Sequence, residues 1–113
     1  MKRSKERDKF YIQSMYEEIE KAEKFVKDET YKTFVKDEKL KYAIYKACEN
    51  IGEAAKNISN GLKSRHQEIP WKEIIAYRNI LAHEYFGVDT EETWKVMQKD
   101  IPELKRNIKK LMK

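Results

Sequence analysis

The sequence predicts an all-α protein, an antiparallel bundle of four to five helices in one domain over residues 1–113. Apolar residues recur almost throughout at intervals of three and four, which is the spacing of one face of an α-helix. The chain has only three glycines and two prolines, so few residues break this pattern. A chain of 113 residues is also long enough for one compact core but not for two.

The first half of the chain predicts two long helices with a short element between them. The first runs from residue 8 to 27, and a turn or short helix follows over residues 30–35. The second begins at Leu40 and ends near Asn60 and Gly61, residue types that often end helices. Gly52 lies inside it and costs about 1 kcal/mol of helix propensity relative to alanine. We therefore expect Gly52 to permit close approach of another helix, within the fold or across a dimer.

The second half predicts two further helices. Pro70 stands where a proline commonly occupies the first turn of a helix. That third helix carries the apolar stripe Ile74, Ile75 and Leu81, and Gly87 ends the pattern. Asp89 is a good N-cap for the last helix, and Pro102, which lies inside its apolar stripe, should kink or split it.

Charge and cysteine content narrow the class of protein. The net charge is +5, but residues 1–9 contribute +3 and residues 103–113 contribute +4, so the basic groups concentrate at the ends. Such ends fit either a polyanionic partner or solvated helix faces. The longest apolar runs have four residues and none follows the basic start, so we expect no membrane span and no secretory signal. A single cysteine, Cys48, indicates a buried small apolar residue in a reducing compartment, the cytoplasm.

One cluster, residues 78–85, is dense enough in reactive side chains to suggest chemistry. Arg78 supplies a permanent, forked cation for phosphate, Asn79 can donate to an oxyanion, and a histidine such as His83 can exchange protons near neutral pH. These groups would suffice for cleavage of RNA, whose own 2′-hydroxyl is the nucleophile. The chain has no glycine-rich phosphate loop and no metal-ligand spacing, so we expect neither cofactor nor metal.

Helix geometry limits how these groups can act together. At 100° per residue, Asn79 and His83 share a face, whereas Arg78 and His83 are about 140° apart. Either the helix unwinds near His83, or two copies of the motif meet across a two-fold axis and share a cleft. The alternative is that Arg78 and His83 are surface or helix-capping groups. Tyr85 lies seven residues after Arg78, so a continuous helix would place the two residues on the same face. The alternative is that Tyr85 is a packed aromatic residue. His66, the other histidine, is expected in a solvated loop.

Residues 78–85 read Arg-Asn-Ile-Leu-Ala-His-Glu-Tyr. They resemble the RNxLxHxY form of the RxxxxHxY motif of HEPN-domain proteins, specifically the HepT-like toxins. The similarity continues in order through four further segments that cover most of residues 8–110. These are residues 51–55 (IGEAA), residues 69–71 (IPW), residues 86–89 with Trp94, and residues 101–104.

This resemblance implies a HEPN-like bundle that forms a homodimer with its motifs facing each other. It implies a metal-independent endoribonuclease, the toxin of a toxin-antitoxin pair, with Arg78 and His83 as the catalytic pair and Asn79 as the supporting polar residue. The implied partner is a minimal nucleotidyltransferase antitoxin that transfers AMP from ATP to Tyr85. Two alternatives stay open: a non-catalytic module that binds a nucleotide or substrate for a nucleotidyltransferase, and a structural adaptor.

Overall fold

The computed structural model describes residues 2–113, so Met1, the first residue of the predicted domain, lies outside it. Every regular element in this range is helical, as predicted. The helices are α1 (Lys2–Val26), α2 (Tyr31–Lys36), α3 (Glu38–Lys56), α4 (Asn60–Arg65), α5 (Trp71–His83), α6 (Thr90–Lys95) and α7 (Ile101–Leu111). A 3₁₀ turn, Tyr85–Gly87, follows α5, and a π-helical turn, Val96–Asp100, joins α6 to α7. Within residues 2–113, no helix is both long and apolar enough to cross a bilayer.

The bundle consists of α1, α3, α5 and α7. Helix α3 packs between α1 and α5, and α1 also packs against α7. The buried apolar side chains of these helices form one core, to which α2 adds the fully buried Phe34. Few contacts join α5 to α7, so that side of the bundle is open and forms a groove of about 330 Å³.

Helix α1 begins at Lys2, six residues before the predicted start. Residues 2–7 are mostly Lys, Arg and Glu, which favour helix but carry no apolar stripe, so periodicity could not reveal them. The basic N-terminal residues 4–7 are therefore an exposed helical turn. The helix ends at Val26, and Asp28 adopts a positive φ of 67° beyond it, the left-handed conformation that often follows a helix end.

The prediction that the second long helix ends at Asn60 is wrong, because Asn60 begins a helix instead. Helix α3 stops at Lys56, and Ser59 caps α4 by accepting a hydrogen bond from the backbone of Leu62. The buried carboxylate of Asp8 holds this cap, accepting hydrogen bonds from the Ser59 backbone N–H at 2.8 Å and from its hydroxyl at 2.6 Å. This long-range contact favours a new helix start where local propensity suggests an end.

The predicted starts of the later helices agree with the structure. Pro70 is the N-cap residue and α5 begins at the next position, Trp71. The Asp89 carboxylate caps α6 by accepting hydrogen bonds from the backbone N–H groups of Glu91 and Glu92, at 3.0 and 3.3 Å.

The last helical segment is split just before Pro102, as predicted. Proline has no backbone N–H and cannot donate to the residue four positions earlier. The preceding turn is widened to a π-helix, in which the Ile101 N–H donates to the carbonyl of Val96. Helix α7 then starts with Pro102 in its first turn, where the missing donor is not needed.

Candidate active site

The residues of the motif lie at the C-terminal end of α5 and just beyond it. Arg78, Asn79 and His83 belong to α5, and His83 is its last residue. Glu84 leaves the helix with φ −132° and ψ 44°, so that Tyr85 falls in the 3₁₀ turn. The prediction that Tyr85 returns to the helical face of Arg78 is therefore wrong, because the helix ends before that return.

Arg78 is held between α5 and α3. Its side chain is only 17% exposed, and one guanidinium nitrogen, Nη2, lies 2.7 Å from Oε2 of Glu53 in an ion pair. The angles of this pair do not meet those of a hydrogen bond, and within residues 2–113 the Arg78 Nε also has no hydrogen-bond partner. The guanidinium is thus fixed in position, and because Nε is buried, only its terminal nitrogens Nη1 and Nη2 are candidates for contact with a ligand.

Gly52 explains how Arg78 comes so close to α3. A Cβ atom at position 52 would lie 2.2 Å from the Arg78 Cβ and 3.1 Å from the carbonyl oxygen of Ile74. No side chain larger than hydrogen fits there without moving the two helices apart. The predicted close approach is confirmed, and the neighbouring helix is α5 of the same chain.

Asn79 completes the polar environment of Arg78. Its Oδ1 accepts a hydrogen bond of 3.0 Å from Nη1 of Arg78. Because an arginine can only donate, this contact fixes the orientation of the amide, and the NH₂ group of the exposed Asn79 is the part left to donate to a ligand. The predicted role of Asn79 as a donor to an oxyanion is compatible with this orientation.

His83 is exposed at the end of α5. Since the helix continues unbroken from Trp71 through His83, the side chains of Arg78 and His83 leave it about 140° apart. The helix ends at His83, so the predicted unwinding near this residue comes after it and does not bring Arg78 and His83 to one side. Within one chain, Arg78 packs on α3 while His83 stands in solvent.

Tyr85 packs among two other tyrosines. Its ring stacks on Tyr42 with centroids 5.4 Å apart and an interplanar angle of 16°, and it meets the edge of Tyr45 at 5.6 Å. Partial burial against these rings, helped by the neighbouring Tyr42 hydroxyl, raises the pKa of the Tyr85 hydroxyl to about 12. The hydroxyl therefore stays protonated at neutral pH unless a partner removes the proton.

An exposed stripe runs along α5 beside the motif. Its members Ala76, Asn79, Ile80 and His83 follow the i, i+3, i+4, i+7 spacing of one helix face, and Ile80 is 39% exposed. Among the described residues, Ile80 is the large apolar side chain that α5 exposes.

Two other sequence-predicted residues lie away from this region. Cys48 is buried, and burial raises the pKa of its thiol to about 12, which confirms the expectation of an inert apolar residue. His66 is the C-cap of α4 and is half-exposed; its Nδ1 lies 3.6 Å from a carboxylate oxygen of Glu68.

Sequence reasoning missed the roles of Glu53 and Tyr42. Both lie on α3 and contact motif residues, Glu53 through Arg78 and Tyr42 through Tyr85. Their separation of eleven residues is three helical turns, so they share one face of α3. The sequence predicts this spacing, but it does not predict which face of α3 contacts the motif.

Comparison with known proteins shows which family the sequence matches. The sequence profile of the family described as "HepT-like: Ribonuclease HepT-like" matches residues 15–111. The chain is 44% identical over its full length, and over the full length of the relative, to the protein named "Probable ribonuclease HepT" of Thermococcus cleftensis.

Two further relatives are named "Putative RNase". The one from Methanocaldococcus jannaschii is 35% identical over 93% of this chain and 96% of its own length. The one from Caldanaerobacter subterraneus subsp. tengcongensis is 38% identical over 90% of this chain and 91% of its own length. No solved structure matches the chain significantly.

Proposed function

The chain belongs to the HepT-like ribonuclease family, and on this basis we propose that it is a metal-independent endoribonuclease of the cytoplasm with Arg78 and His83 as its catalytic pair. The observation that carries the proposal is the fixed position of Arg78, which Glu53 and Asn79 hold beside the exposed end of α5. A guanidinium that is oriented before substrate arrives can stabilise charge on a phosphate without reorganising.

The reaction needs three contributions from the protein. A base removes the proton of the RNA 2′-hydroxyl, whose oxygen forms a bond to the adjacent phosphorus. The bond from phosphorus to the 5′-oxygen breaks, and an acid protonates that oxygen as it leaves. The products are a 2′,3′-cyclic phosphate and a 5′-hydroxyl end. Arg78 and the Asn79 amide donate to the phosphoryl oxygens, and His83 transfers protons.

We propose that the active cleft forms between two copies of the chain. The side chains of Arg78 and His83 diverge by about 140° on an unbroken helix, so a second copy that presents its His83 to Arg78 of the first is the simplest way to bring the two groups to one phosphate. Ile80 on the exposed α5 stripe provides apolar surface for the contact. A two-fold axis then forms two equivalent clefts, each with Arg78 of one chain and His83 of the other.

The first test is RNA cleavage in a chelator. Purified wild-type protein is expected to cleave single-stranded RNA in excess EDTA and to leave 2′,3′-cyclic phosphate ends, because the nucleophile and all catalytic groups are organic. The same oligonucleotide made with 2′-deoxyribose is the control and should stay intact. Binding without cleavage would contradict the proposal and would instead favour a nucleotide- or substrate-binding module with Arg78 as phosphate clamp.

We further propose that the protein is the toxin of a toxin-antitoxin pair and that a minimal nucleotidyltransferase neutralises it by adenylylating Tyr85. The Tyr85 oxygen would form a bond to the α-phosphorus of ATP while the α–β phosphoanhydride bond breaks and pyrophosphate leaves. A tyrosine hydroxyl is protonated at neutral pH, so the nucleotidyltransferase must supply the base that takes the phenolic proton. Burial raises the pKa of Tyr85 to about 12, which makes that deprotonation harder. The added phosphoryl group would bring negative charge to the end of the motif.

Tyr85→Phe is expected to cleave RNA at close to the wild-type rate but to resist neutralisation by the nucleotidyltransferase and ATP. The phenyl ring keeps the packing against Tyr42 and lacks only the acceptor oxygen. Intact-protein mass should show the gain of AMP in wild type and in the control Tyr31→Phe, which changes an exposed tyrosine on α2. Gain of AMP by Tyr85→Phe would show that another residue is the target.

A further inference from the structure

One face of α3 contacts Arg78 near one end and Tyr85 near the other. Residues Lys39, Tyr42, Lys46, Glu49 and Glu53 are spaced by three and four, so they line one side of the helix. Glu53 at one end is paired with Arg78, and Tyr42 near the other end is stacked on Tyr85. The eleven residues from Tyr42 to Glu53 span about 16 Å along the helix axis, the length of a few nucleotides.

The aromatic end of this face is open to solvent. Tyr42 is 57% exposed although Tyr85 stacks against its ring, and Phe86 is fully exposed. The Phe86 ring stands edge-on to Tyr85, with centroids 5.6 Å apart at 83°. Exposed aromatic rings held in place by a third ring provide surfaces on which unpaired nucleobases stack.

The charges of this face suit phosphates at the aromatic end. Lys39 and Lys46 are exposed on either side of Tyr42, and among residues 2–113 neither is in an ion pair, whereas nearby Lys41 is paired with Glu38 at 2.7 Å. Glu49 carries a negative charge further along the same face. The unpaired positive charge of this face is therefore concentrated around Tyr42, because Arg78 at the other end is paired with Glu53.

The groove between α5 and α7 is unsuited to binding RNA. The groove between α5 and α7 has an apolar floor and is lined by five carboxylates and no Lys or Arg, the carboxylates being those of Glu68, Glu73, Glu92, Asp100 and Glu103. Such a groove repels phosphate. A polyanionic substrate approaching Arg78 is thus directed to the α3 side.

We propose that Lys39, Tyr42, Lys46 and Phe86 form a track for single-stranded RNA, with the lysines on phosphates and the rings on unpaired bases. The track rests on the proposed ribonuclease function and names its substrate as unpaired RNA. Tyr85 lies between Tyr42 and Phe86. An AMP group on Tyr85 would place its own base and phosphate in the track and block it.

Binding of uncleavable RNA tests the track separately from catalysis. The probe is a fluorescein-labelled single-stranded oligonucleotide with 2′-O-methyl groups, measured by anisotropy against the full-length protein. Tyr42→Ala and Phe86→Ala are each expected to weaken binding by about five- to a hundredfold, the loss of one base–aromatic stack. Tyr42→Trp and Phe86→Trp should restore it. Phe10→Ala and Phe25→Ala are matched controls, because these exposed rings lie on α1.

The lysines are tested by the salt dependence of the same binding. Lys39→Gln and Lys46→Gln should each lower the slope of log affinity against log salt by about 0.7, the value for one phosphate contact on a single strand. Lys99→Gln, an exposed lysine of the π-helical turn, is the control and should not change the slope.

Three results would overturn the track. Wild-type affinity in both alanine variants would show that RNA binds elsewhere, and cleavage by the same proteins would leave the ribonuclease function standing. Conversion of the Phe86→Ala protein from dimer to monomer in sedimentation would assign that ring to a contact between copies. If the wild type neither binds nor cleaves RNA, the track and the proposed function both fail.

Discussion

His83→Ala is expected to lower the rate of RNA cleavage by about 10²- to 10⁴-fold, the usual contribution of a positioned acid or base. Stability should hardly change, because His83 is exposed at the last position of α5 and packs against little. His66→Ala is the matched control: it removes the other histidine, which is half-exposed at the end of α4. Rates are measured in single turnover with excess EDTA, and equal cleavage by His83→Ala would exclude His83 from catalysis.

Arg78→Ala should lose activity by about 10²- to 10³-fold, as when one donor to a developing charge is removed. Arg78→Lys should not restore full activity, because a lysine cannot hold Glu53 and Asn79 while it donates to two phosphoryl oxygens. Melting temperature and dimerisation are compared in parallel, so that a loss of fold is distinguished from a loss of chemistry.

Gly52→Ala is expected to destabilise the fold and to displace Arg78. The added methyl group would lie 2.2 Å from the Arg78 Cβ, so α3 and α5 must separate. Overpacking of this kind costs about 1–3 kcal/mol, against a gain of about 1 kcal/mol in helix propensity. Gly52→Val adds more volume with less propensity, so its free energy of unfolding should fall further. Cleavage should fall in both variants because the arginine no longer occupies its place beside Glu53.

Gly61→Ala is the matched control for this prediction. A Cβ at position 61 would meet its nearest atom, a guanidinium nitrogen of Arg65, at 3.4 Å, an ordinary contact. Gly61 is exposed on α4, so the substitution should leave stability unchanged or raise it through helix propensity. Urea denaturation measures both variants. A Gly52→Ala protein as stable and as active as wild type would contradict the close packing described for α3 and α5.

The helices that bury a continuous apolar stripe could be predicted from the sequence. Cap chemistry at Asp89 and the split at Pro102 were also readable, because each depends on local backbone groups. The end of the second long helix was not readable. Asp8 reaches across 51 residues to hold Ser59, and a contact at that separation overrides the local tendency of Asn60 and Gly61 to end a helix.

The candidate site was predictable in its residues but not in its arrangement. Spacing placed Arg78 and His83 far apart around a helix, and the structure shows that this helix is unbroken. The ion pair with Glu53 and the stacking of Tyr42 on Tyr85 required knowledge of how α3 meets α5. Gly52 indicated that another helix packs closely against α3, but a glycine alone does not identify that helix.

The central claim, a cleft with Arg78 from one chain and His83 from the other, is tested most directly by mixing the two inactive variants. Arg78→Ala and His83→Ala are unfolded together, refolded and assayed in EDTA. If one such pair suffices for a cleft, the mixture should recover about a quarter of the wild-type rate, because half of the dimers are mixed and each retains one of two clefts intact. Each variant refolded alone stays inactive. No recovery in a mixture shown by mass to contain mixed dimers would contradict the shared cleft.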